Sequence, residues 1–149
     1  MTIAISSHGT IIRRAPAATP STFTVIGELG DITGPGLMRN EFDATPHNRD
    51  IDSFVMGVLR REPITFPVFF HKDNPTHDHL TGLENAIITN SYDGYKLTTP
   101  DGGEIILSGF VRNVNKTAPV DGIQTANVTI RASGPFVLNG VVIGADVIE

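Results

Sequence analysis

The sequence contains no cysteine and no tryptophan among its 149 residues. Without thiols the chain can form no disulfide, no thiolate metal site and no cysteine nucleophile. No apolar run approaches the ~20 residues that a membrane-spanning helix needs. The first ten residues also lack the basic start and apolar core of a secretory signal. The sequence therefore predicts a protein that uses neither thiol chemistry nor a membrane.

Positive charge is also scarce. The chain has 11 Lys and Arg against 16 Asp and Glu, which gives a formal net charge of −5. Binding to the phosphates of nucleic acid requires clustered Lys and Arg, so the acidic balance argues against a nucleic-acid-binding protein. The adjacent pair Arg13 and Arg14 is too small for a basic patch, and we interpret both as surface residues.

Turn-forming residues are frequent, with 15 Gly and 10 Pro, and few segments show helical periodicity. A chain of this length fits one domain, residues 1–149. The predicted fold class is mainly β: a β-sandwich or partly closed barrel of roughly seven or eight strands, flanked by one α-helix. Within it we expect a flexible N-terminal arm, residues 1–9, and a long inter-strand contact loop, residues 37–62.

A long hairpin over Glu104–Pro135 is the strongest pattern in the chain. In its second strand small and apolar residues alternate with Thr125, Asn127, Thr129, Arg131 and Ser133, which predicts one buried face and one polar face. In its first strand both faces are apolar, which predicts cover on both sides. One face carries Ile105, Leu107 and Val111, and the other carries Ile106, Phe110 and Val114.

Three further segments complete the prediction. Pro63–Phe70 is predicted to be a strand, and Pro67 predicts that it has a bulge or lies at an edge there, because proline cannot donate to a ladder. A helix is predicted to begin at Asn74 and Pro75 and to bury Leu80, Leu83 and Ile87. In the long connection, Phe54, Val55, Val58 and Leu59 suggest one or two helical turns, and residues 136–148 suggest one more strand.

Catalytic and metal-binding patterns are weak. His71, Asp73, His77 and His79 lie close together, but His77 and His79 are two residues apart and diverge on the predicted helix. No serine lies in a nucleophile-elbow sequence. We therefore predict that the protein is not an enzyme and needs no metal or cofactor.

Several motifs in order resemble one protein family. The hairpin carries Ser108-Gly109-Phe110-Val111, then Ala118-Pro119-Val120-Asp121 and Ser133-Gly134-Pro135. Upstream lie Ile26-Gly27-Glu28, Ile32-Thr33-Gly34-Pro35, Asp43-Ala44-Thr45 and the segment Phe54–Leu59. Together these resemble the major tail tube proteins of long-tailed, non-contractile phages of the lambda-like, siphovirus type. The resemblance covers most of Thr22–Pro135.

The resemblance implies a structural virion protein whose hexameric rings stack into the tube that delivers DNA. Its expected partners are its own copies, the tape-measure protein and the tail-tip and tail-terminator proteins, and its expected location is the phage tail after assembly in the host cytoplasm. DNA is expected to pass a hydrophilic, net negative lumen without specific binding. The expected subunit contacts are Phe54, Val55, Val58, Leu59, Pro119 and Asp121. The expected lumen residues are Thr125, Asn127, Thr129, Arg131 and Ser133.

Two alternatives stay open at this point. The first is a tube or ring protein of a contractile injection machine or a type VI-like secretion system. The second, of a different class, is a small ligand-binding β-barrel, which would require an apolar pocket in a stable monomer.

Overall fold

The computed structural model describes residues 6, 8–16 and 22–143. Most of the expected N-terminal arm and the end of the last expected strand, residues 144–148, lie outside this range. The elements are β1 (Ile11–Ala15), β2 (Thr24–Val25), β3 (Leu37–Asp43), β4 (Phe54–Arg61), β5 (Ile64–Val68), α1 (Leu83–Ile88), β6 (Asp93–Thr98), β7 (Glu104–Thr117), β8 (Thr125–Leu138) and β9 (Val141–Ile143). No helix within the described ranges is long and apolar enough to cross a membrane.

The strands form one curled, half-barrel sheet and one separate hairpin. The seven-stranded sheet runs in the order β2-β1-β6-β7-β8-β5, and all its pairs are antiparallel. β9 pairs with the last residues of β8 on the edge away from β7, beyond the part of β8 that pairs with β5. The second sheet contains only β3 and β4. The prediction of a mainly β, partly closed fold with one helix is confirmed.

The concave side of the sheet holds the hydrophobic core, and α1 packs there through Leu83 and Ala86. Every second residue of the first half of β8 is fully buried, which confirms the predicted alternation. The largest fully buried side chains are Tyr95, Phe66, Ile12, Ile64, Leu83, Ile130, His77, Val68, Val128 and Asp93. Burial raises the pKa of Tyr95, with a further contribution from the nearby Asp93 charge, so its hydroxyl stays protonated.

The two long strands β7 and β8, of 14 residues each, bend through two irregularities in their pairing. At the first, a Cβ on Gly109 would lie 2.1 Å from the carbonyl oxygen of Arg131, so only glycine allows this approach. At the second, one extra residue in β7 brings Val114 opposite Val128, on the core side. The assignment of Val114 to the same face as Phe110 is therefore wrong, because a bulge shifts the alternation by one residue.

The expected contact loop over residues 37–62 is instead an antiparallel β-hairpin, formed by β3 and β4. The expected helical turns near Phe54 are therefore wrong. At the outer end of the hairpin the Ala44 N–H donates to the Ser53 carbonyl at 2.7 Å, and the Thr45 hydroxyl accepts from the Ser53 N–H at 2.7 Å. These bonds close a long turn. Because most residues on both faces of the hairpin are exposed, its strands lack the apolar–polar alternation of a half-buried strand.

The helix also begins later than expected. Between Asn74 and Gly82 the chain forms successive turns, and α1 starts only at Leu83. The Asp78 carboxylate accepts hydrogen bonds from the N–H groups of Thr81 and Gly82, which fixes the chain at that point. Leu80 is consequently exposed, whereas Leu83 is buried as predicted and Ile87 is half-buried.

The edge position of β5 is confirmed, since its only ladder partner is β8 and its other side carries two isolated bridges, to Leu29 and Thr33. The apolar segment after Pro135 is not one further strand. β8 continues through it to Leu138, and Asn139 and Gly140, both with positive φ, turn the chain into β9. This two-residue turn has the backbone that Asn-Gly pairs favour.

Arg14 is buried, so its interpretation as a surface residue is wrong. Its guanidinium lies 2.8 Å from the Asp93 carboxylate and donates to the Thr81 carbonyl at 2.9 Å. Asp93 also accepts from the Ser91 hydroxyl. This buried cluster fastens β1 to β6 and to the segment that precedes α1.

His77, in the turns that precede α1, is also buried. Its Nε2 lies 2.8 Å from the Gly27 carbonyl oxygen, and its ring stacks on Phe70 at 5.8 Å between centroids. It is thus a structural histidine that ties the turn to the chain after β2. Among the described residues no group of three or more His, Asp or Glu side chains is arranged to hold a metal ion.

Candidate assembly surfaces

A polar face covers the convex side of the β5–β8–β7 part of the sheet. Strand register aligns Thr65, Thr129 and Asn113 in one row and Pro67, Asn127 and Asn115 in the next. Thr125 pairs with Thr117, and Arg131 pairs with Phe110. The structure therefore places the predicted polar residues of β8 in a wider surface of hydroxyl and amide groups, to which β5 and β7 also contribute.

This polar face carries no carboxylate among its described residues. This face by itself therefore contributes no negative charge from its described residues, and the net negative lumen stays a prediction. Its charge comes from Arg131, and Arg61 at the end of β4 lies close to it. Partial burial, and secondarily the charge of Arg131, lower the pKa of Arg61.

The β3–β4 hairpin, which we call the arm, forms a second surface. Its strands make no extended contact with the described strands of the large sheet. It exposes a series of large apolar side chains: Leu37, Met38, Phe42, Ile51, Phe54, Val55, Met56 and Val58. An isolated two-stranded hairpin is marginally stable in water. A hairpin this apolar is typical of an element that another surface covers.

The two faces of the arm differ in charge. On one face Asp43 pairs with Phe54 and Glu41 pairs with Met56, so two carboxylates on the outer part of β3 lie beside an apolar row on β4. Arg39 is next in the β3 row, and its guanidinium donates to the Gly57 carbonyl at 2.8 Å. Hydrogen bonds from Thr45 lower the pKa of Asp43, which keeps it anionic. The opposite face carries the pair Phe42 and Val55.

A third surface is a shallow groove of about 450 Å³ on the convex side of the other half of the sheet. It is lined by Ala15, Phe23, Tyr92, Asp93, Gly94, Ile106, Leu107, Ser108, Pro135, Phe136, Val137 and Val142. The T-shaped contact of Tyr92 with Phe110, 5.4 Å between ring centroids, lies at its border. The groove is open to solvent, unlike the enclosed apolar pocket that a small-ligand barrel requires.

The predicted contact residues fall on two of the structure's projections. Phe54, Val55 and Val58 are exposed on the arm, whereas Leu59 is half-buried and packs against the core. Pro119 and Asp121 lie exposed in the loop between β7 and β8. Their roles as subunit contacts and those of the β8 residues as lumen residues stay predictions.

The groove was not predicted from the sequence. Its lining residues come from six separate chain segments, and strand pairing brings five of these together. One local signal was present, since Asn139-Gly140 between two apolar runs is typical of a hairpin turn and would have revealed β9.

No protein-family model matches the sequence, and no curated protein matches it significantly. Several solved structures match the fold. A chain of the sixfold-symmetrised cryo-EM structure of the anti-feeding prophage baseplate has a TM-score of 0.76 at 9% identity, covering 95% of this chain and 99% of that chain. A chain of the tail of the empty gene transfer agent particle, refined with C6 symmetry, has a TM-score of 0.74 at 14% identity, covering 91% and 98%.

A third similar structure is the sheath–tube complex of an extracellular contractile injection system, PVC, in its extended state. One of its chains has a TM-score of 0.63 at 13% identity, covering 94% of this chain and 90% of that chain. At such identities the likeness concerns the fold. The chain thus has a fold that also occurs in tail and baseplate assemblies, and each of these matches covers more than 90% of it.

Proposed function

We propose that the protein is a structural tail protein whose copies form sixfold rings that stack into a tube, without catalytic chemistry. The observation that carries the proposal is the full-length likeness of the fold to chains in a C6-symmetric tail and a sixfold baseplate. The exposed apolar arm supports it, because such a surface suits a subunit that is covered by its neighbours. In this proposal the arm and the β7–β8 loop, with Pro119 and Asp121, are the subunit contacts.

The polar face of β5, β7 and β8 is proposed to line the channel. Hydroxyl and amide groups keep water at a wall, and a wall with few cations neutralises few phosphates. Because this face carries Arg131 and no carboxylate among its described residues, the proposed wall is weakly positive, where the sequence alone predicted a negative one. Such a wall suits the passage of DNA because it neither binds the phosphates strongly nor repels them over a long range.

The partners follow from the proposed location in a virion tail: further copies of the chain, a tape-measure protein inside the tube, and tail-tip and tail-terminator proteins at its ends. The non-contractile phage tube is the first candidate, supported by the sequence motifs in the long hairpin. A ring of a contractile injection system or its baseplate is the second, favoured by the likeness to the anti-feeding prophage and PVC chains. A sheath protein that binds the outside of assembled tubes would distinguish the second candidate from the first.

A Thr125→Lys/Thr129→Lys variant tests the channel proposal. Both positions lie on the polar face, so assembled tubes should gain two lysines per subunit along the wall. We expect wild-type tubes to retain negligible duplex DNA at physiological salt, and variant tubes to retain about tenfold more at low salt and to release it as salt rises. The measurement is the amount of fluorescent duplex retained after loading and filtration.

The matched control is Leu80→Lys/Ile88→Lys, which adds the same charge at two exposed positions near the helix, both 68% exposed. Control tubes should behave like wild-type tubes. Equal DNA retention by the two lysine variants would place the polar face outside the channel.

A further inference from the structure

The convex surface that includes one wall of the groove has a basic half and an apolar half. Strand register aligns Arg13 with Lys96, Lys96 with Ile106, Ile106 with Val137 and Val137 with Val142. The row therefore runs from two cations on β1 and β6 to three aliphatic side chains on β7, β8 and β9. We call this row the receptor strip.

The two cations of the receptor strip have only partial internal partners. The Lys96 ammonium lies 3.3 Å from the Glu104 carboxylate in a partly exposed pair and 5.9 Å from the centroid of the Phe23 ring. The Arg13 guanidinium donates to the neutral Thr98 hydroxyl at 3.1 Å. With one carboxylate for two cations, this end of the strip keeps a positive excess. An approaching surface with carboxylates would complete it.

The acidic face of the arm has the complementary layout. Glu41 and Asp43 occupy the outer part of one row on β3, and Phe54 and Met56 form the adjacent row on β4. Arg39 continues the β3 row toward the large sheet and donates to the Gly57 carbonyl within the arm at 2.8 Å, so the two carboxylates at the outer end are the charges offered to a partner. Phe54 is 51% exposed and Met56 69%, and Val142 of the receptor strip is 58% exposed. Both surfaces are β-pleated, and two such faces can pack at a distance of about 10 Å with interdigitating side chains.

We propose that the acidic face of the arm of one copy packs on the receptor strip of a second copy. Glu41 and Asp43 lie over the cations Arg13 and Lys96, while Phe54 and Met56 cover the aliphatic end of the strip. The inference rests on the proposed function and names the surface that receives the arm. Opposite charges set the direction in which the arm lies, because the reversed orientation would put carboxylates on aliphatic side chains.

The contact has a consequence for assembly. The arm and the receptor strip are different patches of one chain, so their contact is heterologous and leaves a free arm and a free strip on every added copy. Such contacts close into a ring or continue as a filament, whereas a self-complementary contact would stop at a dimer. The same geometry therefore supplies the repeated association that a ring needs.

The absence of cysteine makes a clean test possible, because every thiol in a variant is an introduced one. A Met56→Cys/Val142→Cys variant places one thiol on the arm and one on the receptor strip, both exposed in the single copy. After assembly and treatment with a short bismaleimide, denaturing gels should show a ladder of covalent multimers that extends beyond the dimer. Each single-cysteine variant can give no more than a dimer.

A Leu80→Cys/Val142→Cys variant is the matched control, since Leu80 is 68% exposed, much like Met56, but lies before the helix, outside both the arm and the β7–β8 loop. It should give no extended ladder. Electron microscopy of the same samples separates the possible failures. Rings or tubes without a ladder from the Met56–Val142 pair would overturn this inference and leave the proposed function intact. A chain that stays monomeric and gives no ladder would overturn both.

Discussion

An Asp93→Asn variant should lose about 3–5 kcal/mol of folding free energy, the cost of leaving one buried charge without its partner. The side chain of Asp93 is fully buried and that of Arg14 is 9% exposed, with 2.8 Å between guanidinium and carboxylate. Since domains are typically stable by about 5–15 kcal/mol, this loss should consume a large part of the total. Urea denaturation followed by circular dichroism would measure it.

Two further variants make this result specific. Arg14→Met/Asp93→Leu removes both charges and should recover most of the loss, because no uncompensated charge remains in the core. Lys96→Met breaks an exposed ion pair, with Glu104, and should change stability by less than about 1 kcal/mol. A loss as small for Asp93→Asn as for Lys96→Met would contradict the buried cluster.

A Phe54→Asp/Met56→Asp variant should abolish assembly and leave the isolated subunit as stable as the wild type. Both side chains project from the arm into solvent, so charging them removes little from the core of the single copy. In an assembly they would carry two charges per subunit into an apolar contact, where each unpaired charge costs several kcal/mol. Sedimentation velocity would report assembly, and thermal unfolding of the monomer would report stability.

The chain offers two matched controls for the arm variant. Leu80→Asp/Ile88→Asp charges two equally exposed apolar residues outside the arm and should leave assembly in place. Leu59→Ala lies on the arm strand but packs against the core, so it should lower the stability of the monomer itself. If charging the arm lowered monomer stability as much as Leu59→Ala does, its apolar face would have an internal structural role instead.

Hydrogen exchange gives a second readout of the arm. Backbone amides over residues 37–61 should exchange rapidly in the free subunit, because the hairpin has little cover. In the assembly they should be protected, since ordering occurs when the contact forms. Equal protection in both states would argue that the arm is already stable alone.

Much of the fold follows from local sequence patterns. The alternation in β8 predicts its buried face because strand side chains alternate by geometry alone. Pro67 predicts a bulge or an edge position because it lacks an N–H, and the Pro100–Gly103 segment predicts the β6–β7 hairpin. In each case the information lies within one strand or one turn, so a single sequence is sufficient.

The missed features depend on interactions between distant segments. The pairing of β3 with β4 spans a long turn, and the shift of Val114 depends on how β7 bulges against β8. The burial of Arg14 follows from Asp93, which lies 79 residues away in sequence. A charged side chain is expected to be exposed, and the sequence alone does not show that Arg14 has a buried carboxylate as its partner.

The candidate surfaces, like the fold, could be predicted from the sequence only where the signal lies within one strand. The polar residues of β8 could be named from the sequence, and so could the apolar residues of β4, although their secondary structure was wrong. The extension of the polar face to Asn113 and Asn115 and the existence of the receptor strip require strand register. The average charge of the chain proved a poor guide to the charge of one face, because a net charge does not say where the carboxylates lie.

Cryo-electron microscopy of the purified, concentrated protein tests directly whether its copies form sixfold rings that stack into a tube. We expect rings with sixfold symmetry that stack into hollow tubes, with Thr125, Asn127 and Thr129 of every subunit on the channel wall. A protein that remains a monodisperse monomer at high concentration, or a tube map with these three side chains on the outer surface, would contradict this expectation.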